Sequence, residues 1–231
     1  MTIHELRIYK LQPGVSNAEF IRTMHSDGET DIRANLRDAG IPFIGAWKTA
    51  NLTADGREEF VWLRAFENAE TKASKFNIFY NSDLWKNKLS IDGRKLVDEI
   101  ETIDLTPLHA VELLNGPRTS GFHELRHYRL AKGATPRMLA FFEDVRRLVP
   151  FYQIRVLAWW VAEHKDSERF LWLREFVNAP EKTRISKKLY ESDLWLQNYK
   201  PRSVGVIEER ILRDLQPIPE EEIGRYDAVP F

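Results

Sequence analysis

The sequence predicts an α+β fold of two tandem ferredoxin-like β-α-β-β-α-β repeats that close on each other into a barrel within one chain. Three observations lead there. Five blocks of residues recur in the same order. Each copy reads as strand, helix, strand, strand, helix, strand. Two helices cover only one face of such a sheet, and a bare face rich in Trp and Phe is unstable in water, so two copies gain by burying those faces together.

The recurrence is direct. His4-Glu5-Leu6-Arg7-Ile8-Tyr9 returns as His123-Glu124-Leu125-Arg126-His127-Tyr128, an offset of 123 − 4 = 119. Ala46-Trp47 returns as Ala158-Trp159 at 112. Phe60 to Ala69 returns as Phe170 to Ala179, Tyr80 to Trp85 as Tyr190 to Trp195, and Asp104-Leu105 as Asp214-Leu215, all at 110. The drop of 119 − 112 = 7 puts about two extra helical turns in or after the first helix of the first copy.

Ile3 to Leu11 alternates apolar and polar residues, the signature of a half-buried strand. Ser16 with Glu19 forms a capping box, and Phe20, Met24 and Leu36 follow on a helical face that Asp27-Gly28 breaks into two pieces. Phe43 to Thr49 and Glu59 to Phe66 read as strands joined through the hairpin signal Asp55-Gly56. Asn68 caps the second helix, and Leu96 to Leu105 closes the copy. In the second copy Thr135-Pro136 opens a helix that Pro150 ends, Asn178 caps the next, and Val206 to Leu215 closes. The expected division is 1–107 for the first repeat, 108–121 for a linker, 122–217 for the second repeat and 218–231 for an extended tail rich in Pro and Glu.

The 231 residues carry 34 basic and 35 acidic side chains, a net charge of −1, which offers no bulk attraction to nucleic acid or an anionic membrane. There is no cysteine, which excludes disulfides, thiolate metal sites and a cysteine nucleophile. No apolar run approaches the ~18 residues of a membrane span, and the charged N-terminus lacks the apolar core of a secretory signal, so a cytoplasmic protein is expected. No phosphate-binding glycine loop or His-Glu-x-x-His motif occurs. Glu59 to Arg64 lacks the basic-Gly-aromatic start of an RNA-recognition strand. No metal and no cofactor are predicted.

Alternation sorts the strand residues into two faces. Small aliphatics suit a cramped space under helices, so Leu6, Ile8, Val61 and Leu63 are expected there. The barrel interior then receives Glu5, Arg7, Tyr9, Phe60, Trp62, Arg64 and Phe66, with Glu124, Arg126, Tyr128, Phe170, Trp172, Arg174 and Phe176 as counterparts. Buried charges must pair, reach water or meet a ligand. The plainer reading pairs Glu5 and Glu124 with arginines and staples the two halves. The functional reading makes Arg7, Tyr9, Trp47, Phe60, Trp62, Arg64, Arg126, Tyr128, Trp172 and Arg174 the walls of a pocket for an anionic or carbonyl-bearing aromatic ligand. Among the six histidines, His25 is not repeated and lies beside the broken helix, which makes it the candidate general base, with the working pocket in the first half.

The two openings, His4 to Tyr9 with Pro13-Gly14 and His123 to Tyr128 with Gly133, resemble the opening motif of NIPSNAP domains. Tyr80 to Trp85 is similar to the segment after that family's second helix. The resemblance spans about 3–107 and 122–217. It implies the dimeric α-β barrel superfamily, which includes cofactor-independent monooxygenases, isomerases, dehydratases and haem enzymes, and it carries over no catalytic set. A cofactor-independent monooxygenase, isomerase or lyase for a small aromatic or carbonyl compound is the first expectation. A non-catalytic small-molecule-binding or assembly module is the second, and a homo-oligomer stays open.

Overall fold

The computed structural model describes residues 1–25, 31–110, 121–165 and 167–223. The Asp27-Gly28 break and most of the 108–121 linker lie outside these. Over the described residues the chain folds as two compact units, one built on Met1–Thr106 with residues 216–223, the other on Gly121–Leu215 with a few residues from Pro107.

The first unit runs β1 (Ile3–Leu11), α1 (Asn17–Met24), α2 (Ile32–Asp38), β2 (Phe43–Thr49), β3 (Glu59–Phe66), α3 (Ala69–Asn81), a π-helical turn (Trp85–Leu89), α4 (Ser90–Leu96) and β4 (Val97–His109). The second runs β5 (Phe122–Leu130), α5 (Thr135–Leu148), β6 (Arg155–His164), β7 (Ser167–Phe176), α6 (Ala179–Tyr190), a second π-helical turn (Trp195–Tyr199), a short 3-10 turn (Lys200–Ser203) and β8 (Ile207–Pro217). Helical turn α7 (Glu220–Ile223) follows. The eight strands order as β1-β3-β2-β8-β5-β7-β6-β4, a closed barrel, and the pairings within each unit are antiparallel.

The expected caps form. Ser16 accepts from the Glu19 N–H at 3.1 Å, Asn68 from Thr71 at 2.8 Å and Asn178 from Glu181 at 2.9 Å. Each satisfies an otherwise orphaned helix-end donor. The N-terminus of α5 is served from a distance instead, by the Glu168 carboxylate of β7, which accepts the Thr135 N–H at 2.8 Å.

The face assignment is reversed. Tyr9 meets Phe20 of α1 edge-on at 5.8 Å, Phe20 packs on Phe60 at 4.7 Å, and the Arg64 guanidinium lies 4.7 Å from the Phe76 ring of α3. Glu5, Arg7, Tyr9, Phe60, Trp62, Arg64 and Phe66 therefore lie under the helices, and Leu6, Ile8, Val61 and Leu63 occupy the other face. The physical reason is volume. The inside of an eight-stranded barrel is only just wide enough to be filled by side chains, whereas the layer between sheet and helices has depth for rings. Phe20, Met24, Ile32, Leu36, Phe43, Trp62 and Phe79 form a single buried cluster there.

Register also corrects the repeat. Trp47 sits opposite Val61, and Trp160, not Trp159, sits opposite the matching Leu171. The offset in this strand is 160 − 47 = 113, so the first copy's extra residues before it number 119 − 113 = 6. Gly45 and Ala158 both stand opposite the matching leucines, Leu63 and Leu173. Gly45 is small because the Trp47 indole covers it, and an added Cβ would come within 2.3 Å of that ring.

The segment after β8 is not an extended tail over its described part. Ile218 and Ile223 are buried in the first unit's core, and the Ile218 N–H donates to the Ala46 carbonyl at 3.1 Å. Among the described residues no helix is long and apolar enough to cross a membrane.

Candidate functional site

Beneath α3 and α6 each unit carries the same buried ion network. In the first, Glu5 meets Arg64, Lys72 at 2.7 Å and Arg7 at 3.6 Å, and Lys72 reaches on to Asp104. In the second, Glu124 meets Arg174 at 2.5 Å, Lys182 at 3.1 Å and Arg126, and Lys182 reaches Asp214 at 2.6 Å. Burial pushes the Glu124 carboxyl up, but Arg174, Arg126 and Lys182 together outweigh it and hold the group at about 2. Glu5 is lowered in the same way, with Arg64 the strongest opposing partner. Both carboxylates pair within their own unit rather than stapling the halves. Glutamates so strongly held as anions are poor proton acceptors at neutral pH.

Above each network, between sheet and helices, lies a cavity. The first, about 420 Å³, is walled by Tyr9, Phe20, Met24, Ile32, Trp85 and Leu89. The second, about 310 Å³, holds Arg126, Tyr128, Met138, Phe142, Trp172, Tyr190 and the buried Ser203, with Trp195 half-buried and Lys200 and Arg210 exposed toward its mouth. Both π-helical turns contribute a Trp to a cavity wall, Trp85 and Trp195. Such wide turns recur at functional sites because they displace side chains from the regular helical track.

The second cavity presents hydrogen-bond donors. The Tyr128 hydroxyl oxygen accepts from Arg126 at 3.1 Å, and the Tyr190 oxygen accepts from Arg174 at 2.9 Å. With a guanidinium on each oxygen, both phenolic O–H groups are turned to donate elsewhere. The Trp172 indole N–H is buried and has no acceptor. Three donors and the buried Arg126 charge thus surround one space, which favours an acceptor oxygen and negative charge on the occupant.

The sequence-nominated residues divide accordingly. Arg126, Tyr128 and Trp172 line the second cavity, and Tyr9 lines the first. Arg174 supports the second cavity from the ion network. Arg7 turns to the Tyr80 hydroxyl at 2.9 Å, and Arg64 is held by Glu5. Phe60 and Trp62 are core, and Trp47 lies on the opposite sheet face. His25 caps the C-terminus of α1, 8% exposed, between Phe43 and Phe60. It lines neither cavity. Tyr190, Trp195, Lys200 and Arg210 were not singled out from sequence, although the Tyr190 to Trp195 block recurs and so carried a signal.

Burial, and then the neighbouring Arg33, push the His25 imidazole down to about 3. Below pH 6.5 the unfolded chain takes up a proton there that the folded protein refuses. The contribution is therefore complete above pH 6.5 and is lost as pH falls toward 3. Replacing His25 by Leu should flatten the acid side of the stability profile by about 1.4 kcal/mol per pH unit below 6. Urea midpoints at several pH values measure this, and parallel profiles for the two proteins would place the imidazole in water.

No family model matches the sequence, and no curated protein matches it. Solved structures do overlay it. An anthrone oxidase-like protein aligns over 94% of this chain and 92% of its own, with a TM-score of 0.62 and 7% identity. A protein named for monooxygenase activity from Lactobacillus acidophilus NCFM aligns over 99% and 98%, with a TM-score of 0.58 and 11% identity. A NIPSNAP-like domain protein from Burkholderia xenovorans covers 46% of this chain and 85% of its own at 22% identity and a TM-score of 0.39. Chlorite dismutases are also among the overlays. What the chain shares with the first two is the fold.

Proposed function

We propose that this is a tandem-duplicated, NIPSNAP-like α-β barrel enzyme that works without a cofactor on a small aromatic or carbonyl compound bound in the second unit's cavity. The observation that carries the proposal is the convergence of the Tyr128 and Tyr190 hydroxyls, each accepting from an arginine, and the unpartnered Trp172 indole N–H beside the buried Arg126. That set stabilises an oxyanion, whether a carboxylate, a phenolate or the enolate of a ketone. Among the cavity's lining residues there is no carboxylate or histidine to act as a base. The substrate class is therefore one acidic enough to enter as its anion, with Lys200 and Arg210 at the mouth drawing it in. The neighbours named as a monooxygenase and as anthrone oxidase-like support oxidation of such an anion by molecular oxygen, which takes up its electrons, as the reaction to test first.

Titration of the protein with 2-naphthoate tests binding. Tyr190→Phe keeps the ring and removes one donor, so affinity should fall roughly 10- to 100-fold, the value of a hydrogen bond to a charged group of about 1.5–3 kcal/mol. Unchanged affinity would mean the anion does not sit at the phenols. Oxygen uptake with acidic phenols and 1,3-diketones then separates the enzyme from a binding module, which would bind them without turnover.

A further inference from the structure

We infer that the first unit's cavity is a second, chemically distinct site that takes a neutral, planar, apolar molecule. This goes beyond the reading of the second cavity and does not depend on it.

The two cavities occupy equivalent places, so their walls can be compared residue by residue. Ile100 stands opposite Tyr9 in the β1–β4 ladder where Arg210 stands opposite Tyr128 in the β5–β8 ladder. At the common offset of 110, Ser90 replaces Lys200 and Gly93 replaces Ser203. Every cation at the second mouth thus has a neutral counterpart in the first. Two charged side chains do border the first cavity: Asp98, which pairs with Arg57, and Arg94, whose guanidinium donates to the Ser90 carbonyl at 2.9 Å. An anion entering would meet the Asp98 carboxylate as well as Arg94, whereas an apolar ring loses only its cost of exposure.

Gly93 is the independent observation. It sits in the interior of α4, where glycine costs about 1 kcal/mol relative to alanine. Its backbone is not left-handed, and an added Cβ would meet only the Met24 Cε at 3.8 Å, an ordinary contact. Neither the turn nor the packing requires glycine there. What the missing side chain does is keep open the space between α4 and Met24, on the cavity wall.

The chain has three methionines, Met1, Met24 and Met138, and the last two line the first and second cavities respectively. Methyl-13C-methionine NMR of the full chain therefore reads each cavity separately. Indole at low millimolar concentration should move the Met24 methyl saturably and leave Met138 in place. Gly93→Leu, which fills the space and favours the helix, should weaken that response roughly 10-fold or more, with the Met138 response to 2-naphthoate unchanged. Ile100→Arg, on an exposed strand position, should let 2-naphthoate move Met24. A Met24 signal that ignores indole, or that responds equally in Gly93→Leu, overturns the inference. A Met138 signal that ignores 2-naphthoate counts against the second cavity's role alone.

Discussion

Replacing Glu124 by Leu is expected to destabilise the protein by about 3–5 kcal/mol, the cost of leaving buried charge without its partner. Lys182 keeps Asp214, but Arg174 and Arg126 keep only the neutral Tyr190 and Tyr128 hydroxyls and the rings, with no carboxylate left. Arg174 is 0% exposed, so no water relieves it. A drop in urea midpoint at unchanged slope measures the loss. Glu124→Leu combined with Arg174→Met should recover part of it by removing the stranded charge as well. The network's own contribution is complete above about pH 4.5, the carboxyl's ordinary value, and is lost as pH falls through about 2. A single-mutant loss below about 0.5 kcal/mol, typical of surface sites, would mean the guanidiniums find solvent.

A chain ending at Gln216 should lose about 3–6 kcal/mol from the first unit, because Ile218 and Ile223 are each worth roughly 1.5–3 kcal/mol when fully buried. They are 0% and 1% exposed. The Ile218 N–H bond to the Ala46 carbonyl is lost as well. The indole response of Met24 offers a local readout beside global unfolding. If the truncated chain matched the full one in both, the segment would be an ornament on the core rather than part of it.

These expectations show which layers of information the residues carry openly. The duplicated blocks are legible because the same Glu, Arg, Lys, Asp and Tyr must meet in each unit: Glu5, Arg7, Arg64, Lys72, Asp104 and Tyr80 are matched by Glu124, Arg126, Arg174, Lys182, Asp214 and Tyr190. Alternation separates Leu6 and Ile8 from Arg7 and Tyr9, but it is symmetric between faces. Only the depth of the layer under the helices decides which set goes there. The one-residue offset between Trp47 and its true partner was hidden because Trp159 and Trp160 are adjacent, so Ala158-Trp159 repeats the dipeptide Ala46-Trp47 one residue out of register. The last segment was illegible because two isoleucines among prolines and glutamates have no period. His25 drew notice as an unrepeated polar residue, yet burial against Phe43 and Phe60 gives it a packing role. The second cavity's Lys200 and Arg210 went unnoticed because neither belongs to a repeated block and each sits among other charged residues, and only the fold brings them to one mouth.

The place of Ile218 in the first unit also sets a clock. During synthesis the strands of that unit are complete once β4 has emerged, but the segment that finishes its core begins only at Gln216, about 110 residues later. At about 5–20 residues per second this leaves the slot beside Ala46 uncovered for roughly 6–22 s. The half that is made first is therefore finished last, and a nascent chain stalled within β8 would expose an apolar notch that a completed one never shows.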